Sequence, residues 1–278
     1  MALIQANFVS KTLFRTVPIQ VILPIDKFTR RGEPVREDKP FKTLYLLHGL
    51  LGNYTDWVSF TRIQKWAEQK NLAVVMPSGD NSFYINQPSA GINNKYGEFI
   101  GQELIEITRK MFPLSHKRED TYIAGLSMGG YGAIRNGLKY HETFSCIAGL
   151  SSAVHILENI VNVQNRNIEY EESLYGPLSE AVNSDRNPRV LVQTINDKIK
   201  SGEKVEFPKI FMACGTEDSL IDVNRTFRDF FKENGLDVTY YEEAGGHDWD
   251  FWDKYIYEVL EWLPLEGATS GVSSGNVR

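Results

Sequence analysis

A serine hydroxyl attacks a carbonyl only when a base takes its proton and an acid holds that base in place. The stretch Thr121 to Gly132, T-Y-I-A-G-L-S-M-G-G-Y-G, offers such a serine. Tyr122 to Ala124 reads as a short apolar strand, Gly125-Leu126-Ser127-Met128-Gly129 matches G-x-S-x-G, and Gly130 onward reads as a helix. Strand, serine, helix is the context in which the pentapeptide becomes a nucleophile elbow. Side chains two residues either side of the serine would clash across so tight a turn, which suits glycine. The helix start supplies free N–H groups and partial positive charge, and the N–H of Met128 would face the oxygen of a carbonyl attacked by Ser127.

The chemistry also needs a histidine and a carboxylate later in the chain. Of His48, His116, His141, His155 and His247, only His247 lies after the last expected strand, in the glycine-lined run Ala244-Gly245-Gly246-His247-Asp248-Trp249. It is the expected base. His116 and His141 read as solvated surface, and His155 opens a polar stretch too early in the chain for the base. The acid should follow a strand between Ser127 and His247. Glu217, Asp218 and Asp222 compete there, and Asp218 is preferred as a short carboxylate on the strand-end turn. A second oxyanion donor is expected from His48-Gly49-Leu50-Leu51-Gly52, at the N–H of Leu50. The His48 side chain is expected to pack and hydrogen-bond below the site. Tyr84 and Trp249 are candidate pocket residues, whereas Trp252 shares a helical face with Tyr255 and reads as core.

The elements that must position these residues alternate between strand and helix. Ile4–Val9 and Thr12–Leu23 read as extended, the second exposed at an edge because of Pro18. Thr43–Leu47, Ala73–Met76, Phe144–Ala148 and Lys209–Cys214 are short, largely apolar runs of the kind found in parallel central strands. Asp237–Tyr241 is the last strand. Helices are expected over Trp57–Gln69, Tyr96–Met111, after Ser127, over Asp222–Asn234 and over Trp249–Leu263. This alternation predicts an α/β fold, with a mostly parallel sheet covered on both faces. Residues 1–265 are expected to form one domain. Within it, 153–206 reads as a small helical insertion over the active-site edge, with Asn187 as an N-cap, Pro188 at N1 and Gly202 past the helix end. The Gly/Ser-rich tail, 266–278, is expected to be flexible.

The 278 residues carry a net charge of −6 and no basic stripe, which argues against a nucleic-acid partner. No leader sequence and no membrane-length apolar run are visible. Cys146 and Cys214 sit in apolar runs away from any Cys/His cluster, and read as buried free thiols. The expectation is a cytoplasmic protein with no membrane partner.

Four motifs together resemble the esterase D family of α/β-hydrolases, also described as the putative esterase family. They are L-Y-L-L-H-G-L-L-G over Leu44–Gly52, I-A-G-L-S-M-G-G-Y-G over Ile123–Gly132, A-C-G-T-E-D over Ala213–Asp218, and A-G-G-H-D-W-D-F-W over Ala244–Trp252. Within that family the bacterial tributyrin esterases are the nearest likeness, and the polar insertion is the part least like them. The resemblance implies an α/β-hydrolase fold and a carboxylesterase acting on short acyl esters, with no cofactor or metal. It lands on Ser127, Asp218 and His247 as triad, and on the backbone of Leu50 and Met128 as oxyanion hole. S-formylglutathione hydrolases, feruloyl esterases and mycolyltransferases are relatives, so thioester hydrolysis, aryl-ester hydrolysis and acyl transfer are alternatives. A catalytically dead binding module would ordinarily have lost a triad residue. The expected partner is a small-molecule ester. Homo-oligomers are common among such relatives, but no interface signature stands out in the sequence.

Overall fold

A computed structural model of the protein describes residues 1–28, 39–87, 93–154, 157 and 167–265. The flexible tail expected over 266–278, His155 and part of the insertion lie outside the described residues. Among the described residues eight strands form one sheet in the order β1-β2-β4-β3-β5-β6-β7-β8. They are β1 (Ala2–Ser10), β2 (Arg15–Leu23), β3 (Thr43–Leu47), β4 (Ala73–Pro77), β5 (Thr121–Leu126), β6 (Cys146–Leu150), β7 (Lys209–Gly215) and β8 (Val238–Glu243). β1 and β2 form an antiparallel hairpin, β2 runs antiparallel to β4, and every other pairing is parallel.

Side chains alternate across each central strand, and the sheet therefore feeds two cores. Tyr45, Leu47, Val75 and Ile123 face one core. On that side lie α3 (Tyr96–Glu98), α4 (Leu104–Met111), α5 (Met128–Lys139), α8 (Pro188–Lys200) and α9 (Ile221–Glu233), through residues such as Tyr96, Ile134, Val192 and Phe227. Leu44, Leu46, Val74, Tyr122 and Ala124 face the other. There the cover is α1 (Asp56–Phe60), α2 (Ile63–Gln69) and α10 (Trp249–Trp262), through Trp57, Ile63, Trp252 and Ile256.

Two expectations need correction. The helix expected over Trp57–Gln69 is two helices, because Thr61 is extended (φ −135°, ψ 170°) and its hydroxyl donates back to the Trp57 carbonyl at 2.5 Å. β2 is an interior strand despite Pro18. It pairs with β4 only from Ile19 to Ile22 and with β1 along its whole length. Pro18 thus lies beyond the β4 ladder, where no strand asks for its missing N–H.

The insertion contributes α6 (Ile168–Tyr175), α7 (Leu178–Ala181) and α8. Asn187 caps α8 by accepting from the Arg189 N–H at 3.0 Å, with Pro188 at the first helical position. The insertion is fastened to α5. The fully buried Arg135 guanidinium donates to the Asp185 carboxylate at 2.6 Å, and the Tyr131 hydroxyl donates to the Arg186 carbonyl at 2.5 Å. Burial alone would raise the Asp185 carboxyl, but Arg135 and Lys139 hold it below its ordinary value.

Candidate active site

Ser127 joins β5 to α5 at φ +52°, ψ −117°, a conformation L-residues rarely hold. Neighbouring hydrogen bonds over-determine it. Its N–H donates to the Leu150 carbonyl at 2.8 Å, and its own carbonyl accepts from Tyr131 at 3.1 Å and Ala153 at 2.9 Å. The flanking glycines are needed for space. A Cβ on Gly125 would strike the Gly129 backbone, and one on Gly129 would come within 2.5 Å of the Leu47 and His48 carbonyls.

The structure brings Ser127, Asp218 and His247 together from three strand ends. The Nδ1–H of His247 donates to the Asp218 carboxylate at 2.8 Å. That bond leaves Nε2 as the acceptor, 3.0 Å from the Ser127 hydroxyl. The acid and base loops are laced together by the N–H of Thr216 to the Glu243 carbonyl (2.8 Å) and the N–H of Glu217 to the Gly245 carbonyl (3.1 Å). Asp218 is 2% exposed, whereas the neighbouring Glu217 is exposed and Asp222 pairs with Arg225 on the surface. Burial would raise the Asp218 carboxyl, but hydrogen bonds from His247, the Leu220 N–H and Ser151 outweigh it and hold the group below its ordinary range. The adjacent Cys214 thiol is pushed up to about 12 by burial and the Asp218 charge, and stays neutral.

The loop after β3 lies against the serine: a Cβ on Gly49 would stand 3.6 Å from that of Ser127. The N–H of Leu50 has no acceptor among the described residues, and Met128, as the first residue of α5, has no intrahelical one. Two donors next to the serine hydroxyl can stabilise an oxyanion. His48 fixes this loop from beneath. It is 1% exposed, Nε2 accepts from the Gly79 N–H at 2.8 Å, and Nδ1 therefore carries the proton that bonds the Gly49 carbonyl at 2.7 Å. Tyr84 is fully buried and donates its hydroxyl to the His48 carbonyl at 2.9 Å. It is thus a strut under the loop and not the pocket wall expected from sequence. Asn81 adds a further tie, accepting from the Leu51 N–H at 2.9 Å.

Burial pushes the His48 imidazole below its ordinary 6.5 in spite of the Gly49 bond, and burial does the same to His141. His141, expected at the surface, is 5% exposed. Desolvation is the leading cause at both rings, and at His141 the nearby Lys198 charge adds to it. A histidine buried neutral takes up its proton more readily once unfolded. Its contribution to stability is therefore complete above pH 6.5 and is lost as the pH falls from there toward the folded value. Urea denaturation is expected to show stability falling as the pH drops below about 6.5, and His48→Gln to remove part of that slope.

The sequence reading missed two supports. Trp252, expected as core, sets its ring edge-on to His247 with centroids 4.9 Å apart, and its Nε1–H donates to the Ser151 hydroxyl at 3.1 Å. Ser151, at φ +46°, in turn bonds the Asp218 carboxylate. The run Gly149-Leu150-Ser151-Ser152 at a strand end was the available signal. Trp249 is half-buried, stacked on Phe60 at 5.0 Å and edge-on to Trp252 at 5.2 Å. Among the described residues no group of three His, Cys, Asp or Glu could hold a metal ion, and no helix is long and apolar enough to cross a membrane.

The model of the family described as "Putative esterase" matches residues 10–263. An acetyl esterase of Caldicellulosiruptor saccharolyticus is 45% identical over 269 residues, covering 95% of this chain and 98% of that one. Two solved Staphylococcus aureus structures are each 31% identical and cover 94% of this chain and 98% of their own. They are the fluorophosphonate-binding serine hydrolase FphF, with a TM-score of 0.77, and the S-formylglutathione hydrolase FrmB, with a TM-score of 0.76. The neighbours are α/β-hydrolase-fold esterases, and the open, mostly parallel sheet described above has that arrangement.

Proposed function

Since this chain belongs to the "Putative esterase" family and is a carboxylesterase, we propose that it hydrolyses short-chain acyl esters, acetyl to butyryl, through a Ser127–His247–Asp218 triad. The observation that carries this reading is the unbroken hydrogen-bond chain from Asp218 through His247 to a serine on a strained elbow. The Ser127 oxygen attacks the ester carbonyl as His247 Nε2 takes its proton. The carbonyl oxygen, now negative, is held by the N–H groups of Leu50 and Met128. The carbon–oxygen bond to the alcohol breaks, and His247 returns the proton to the departing oxygen. Water then attacks the acyl-enzyme, with His247 again as base, and the acid leaves as the Ser127 oxygen recovers its proton. Asp218 keeps the imidazole in the tautomer that accepts at Nε2 and stabilises the imidazolium as it forms.

One feature supports a short acyl chain: the 45% identical relative is an acetyl esterase. The similarity to an S-formylglutathione hydrolase favours thioester cleavage as a second reading, since the same groups serve either leaving atom. Turnover of p-nitrophenyl esters from acetate to decanoate, with S-formylglutathione alongside, separates the two. A maximum between acetate and butyrate is expected. A maximum at decanoate, or a thioester kcat/KM exceeding every ester, would replace the substrate assignment.

A further inference from the structure

Among the described residues β1 is one edge of the sheet, with β2 as its sole strand neighbour. Every second residue of an edge strand turns its N–H and C=O away from the sheet. Between Leu3 and Val9 no main-chain partner other than β2 takes these groups among the described residues. Edges left open in monomers are ordinarily blocked by charge, proline or a bulge. Leu3 to Val9 contains neither charge nor proline, and the nine-residue register with β2 runs without a bulge. The opposite edge differs. β8 ends in Glu242 and Glu243 and carries ion pairs from Arg225 and Lys254.

The β1 sequence is also nearly symmetric about Ala6. Counting outward, Gln5 matches Asn7, Ile4 matches Phe8, Leu3 matches Val9, and Ala2 matches Ser10. If two such strands pair antiparallel with Ala6 opposite Ala6, amide meets amide and apolar meets apolar at every position from Leu3 to Val9. The alternation of the strand places Leu3 (40% exposed), Gln5, Asn7 and Val9 (70% exposed) on the outer face. The pairing would cover the two apolar members of that set against each other. Two ionised groups at the strand ends are already met within one chain, and Lys11, which this register sets opposite Met1, is exposed to solvent. The Met1 ammonium lies 2.9 Å from Asp26, and Glu103 accepts from the main chain of Lys11 and Thr12. Nothing in the pairing sets like charges opposite one another between Ala2 and Ser10.

We propose that two copies of this chain associate through β1, antiparallel about Ala6, joining their eight-stranded sheets into one. The candidate active site stays open in this arrangement, because β2, β4 and β3 separate β1 from the strand that carries Ser127. Sedimentation velocity on three proteins tests it. The wild type is expected to sediment as a dimer, or as a larger assembly built from dimers. In Q5K/N7K each new lysine faces a lysine of the other copy, and the mass should halve with the circular dichroism and p-nitrophenyl acetate turnover unchanged. In Q5K/N7E lysine faces glutamate, and the wild-type mass should return. A monomeric wild type, or an assembly whose mass is unchanged in Q5K/N7K, overturns the proposal. Equal loss of assembly in both variants overturns the register.

Discussion

Ser127→Ala is expected to lower kcat by about 10⁶-fold, because the nucleophile is lost while the rest of the site remains. The comparison is clean, since alanine keeps the Cβ and the backbone bonds to Leu150, Tyr131 and Ala153 do not involve the hydroxyl. Thermal unfolding should therefore be close to that of the wild type. The backbone strain persists in this variant, as alanine is no more at ease at φ +52° than serine. A steady-state assay of p-nitrophenyl acetate hydrolysis checks the loss, and a fluorophosphonate probe should label the wild type and fail to label the variant. Activity within about 100-fold of wild type in a folded variant would exclude Ser127 as the nucleophile.

Asp218→Asn should lower kcat by about 10⁴-fold and reveal what the carboxylate does. At present Asp218 accepts from His247 Nδ1, so Nε2 is free to take the serine proton. An asparagine can offer its N–H₂ in that position, which favours the tautomer protonated at Nε2 and turns the base into a donor toward Ser127. The imidazolium formed during attack would also lose its counter-charge. Stability should change as well. The carboxyl is held below its ordinary 3.8, so its ionised form contributes stability that is complete above that value and is lost as the pH falls through the folded one. The variant should be less stable at neutral pH by roughly 1–3 kcal/mol, the typical cost of disturbing a buried, hydrogen-bonded polar group. The difference from wild type should narrow in acid. Urea denaturation across the acid range, set beside the kcat of each protein, checks both halves. An unchanged kcat would remove Asp218 from the mechanism.

The features visible in the sequence were those set by neighbouring residues. The elbow at Ser127 was legible because strand, glycines and helix start all fall within one short stretch. Asn187 and Pro188 marked the start of α8 for the same reason, since an N-cap is a local device. The choice between Glu217 and Asp218 turned on the geometry of a strand-end turn, which buries one carboxylate and exposes its neighbour. What stayed hidden depends on which surfaces meet. Helical spacing places Trp252 on the buried face of α10, but only the docking of that helix sets its ring against His247 and its N–H on Ser151. Tyr84 reads as a pocket aromatic until the loop after β4 folds it beneath His48. Pro18 reads as an edge position because the sequence does not say that β4 pairs with Ile19 to Ile22, just beyond it.

The three residues of the hydrogen-bond chain come from the ends of β5, β7 and β8, so that 120 positions of sequence separate Ser127 from His247. None of the contacts between them is local. Loop-closure entropy delays such contacts until the intervening chain has collapsed, and the last parallel pairing, β7 with β8, must form before His247 can reach the serine. Catalysis therefore reports on the whole parallel sheet: on refolding, p-nitrophenyl acetate turnover is expected to return no earlier than the native circular dichroism.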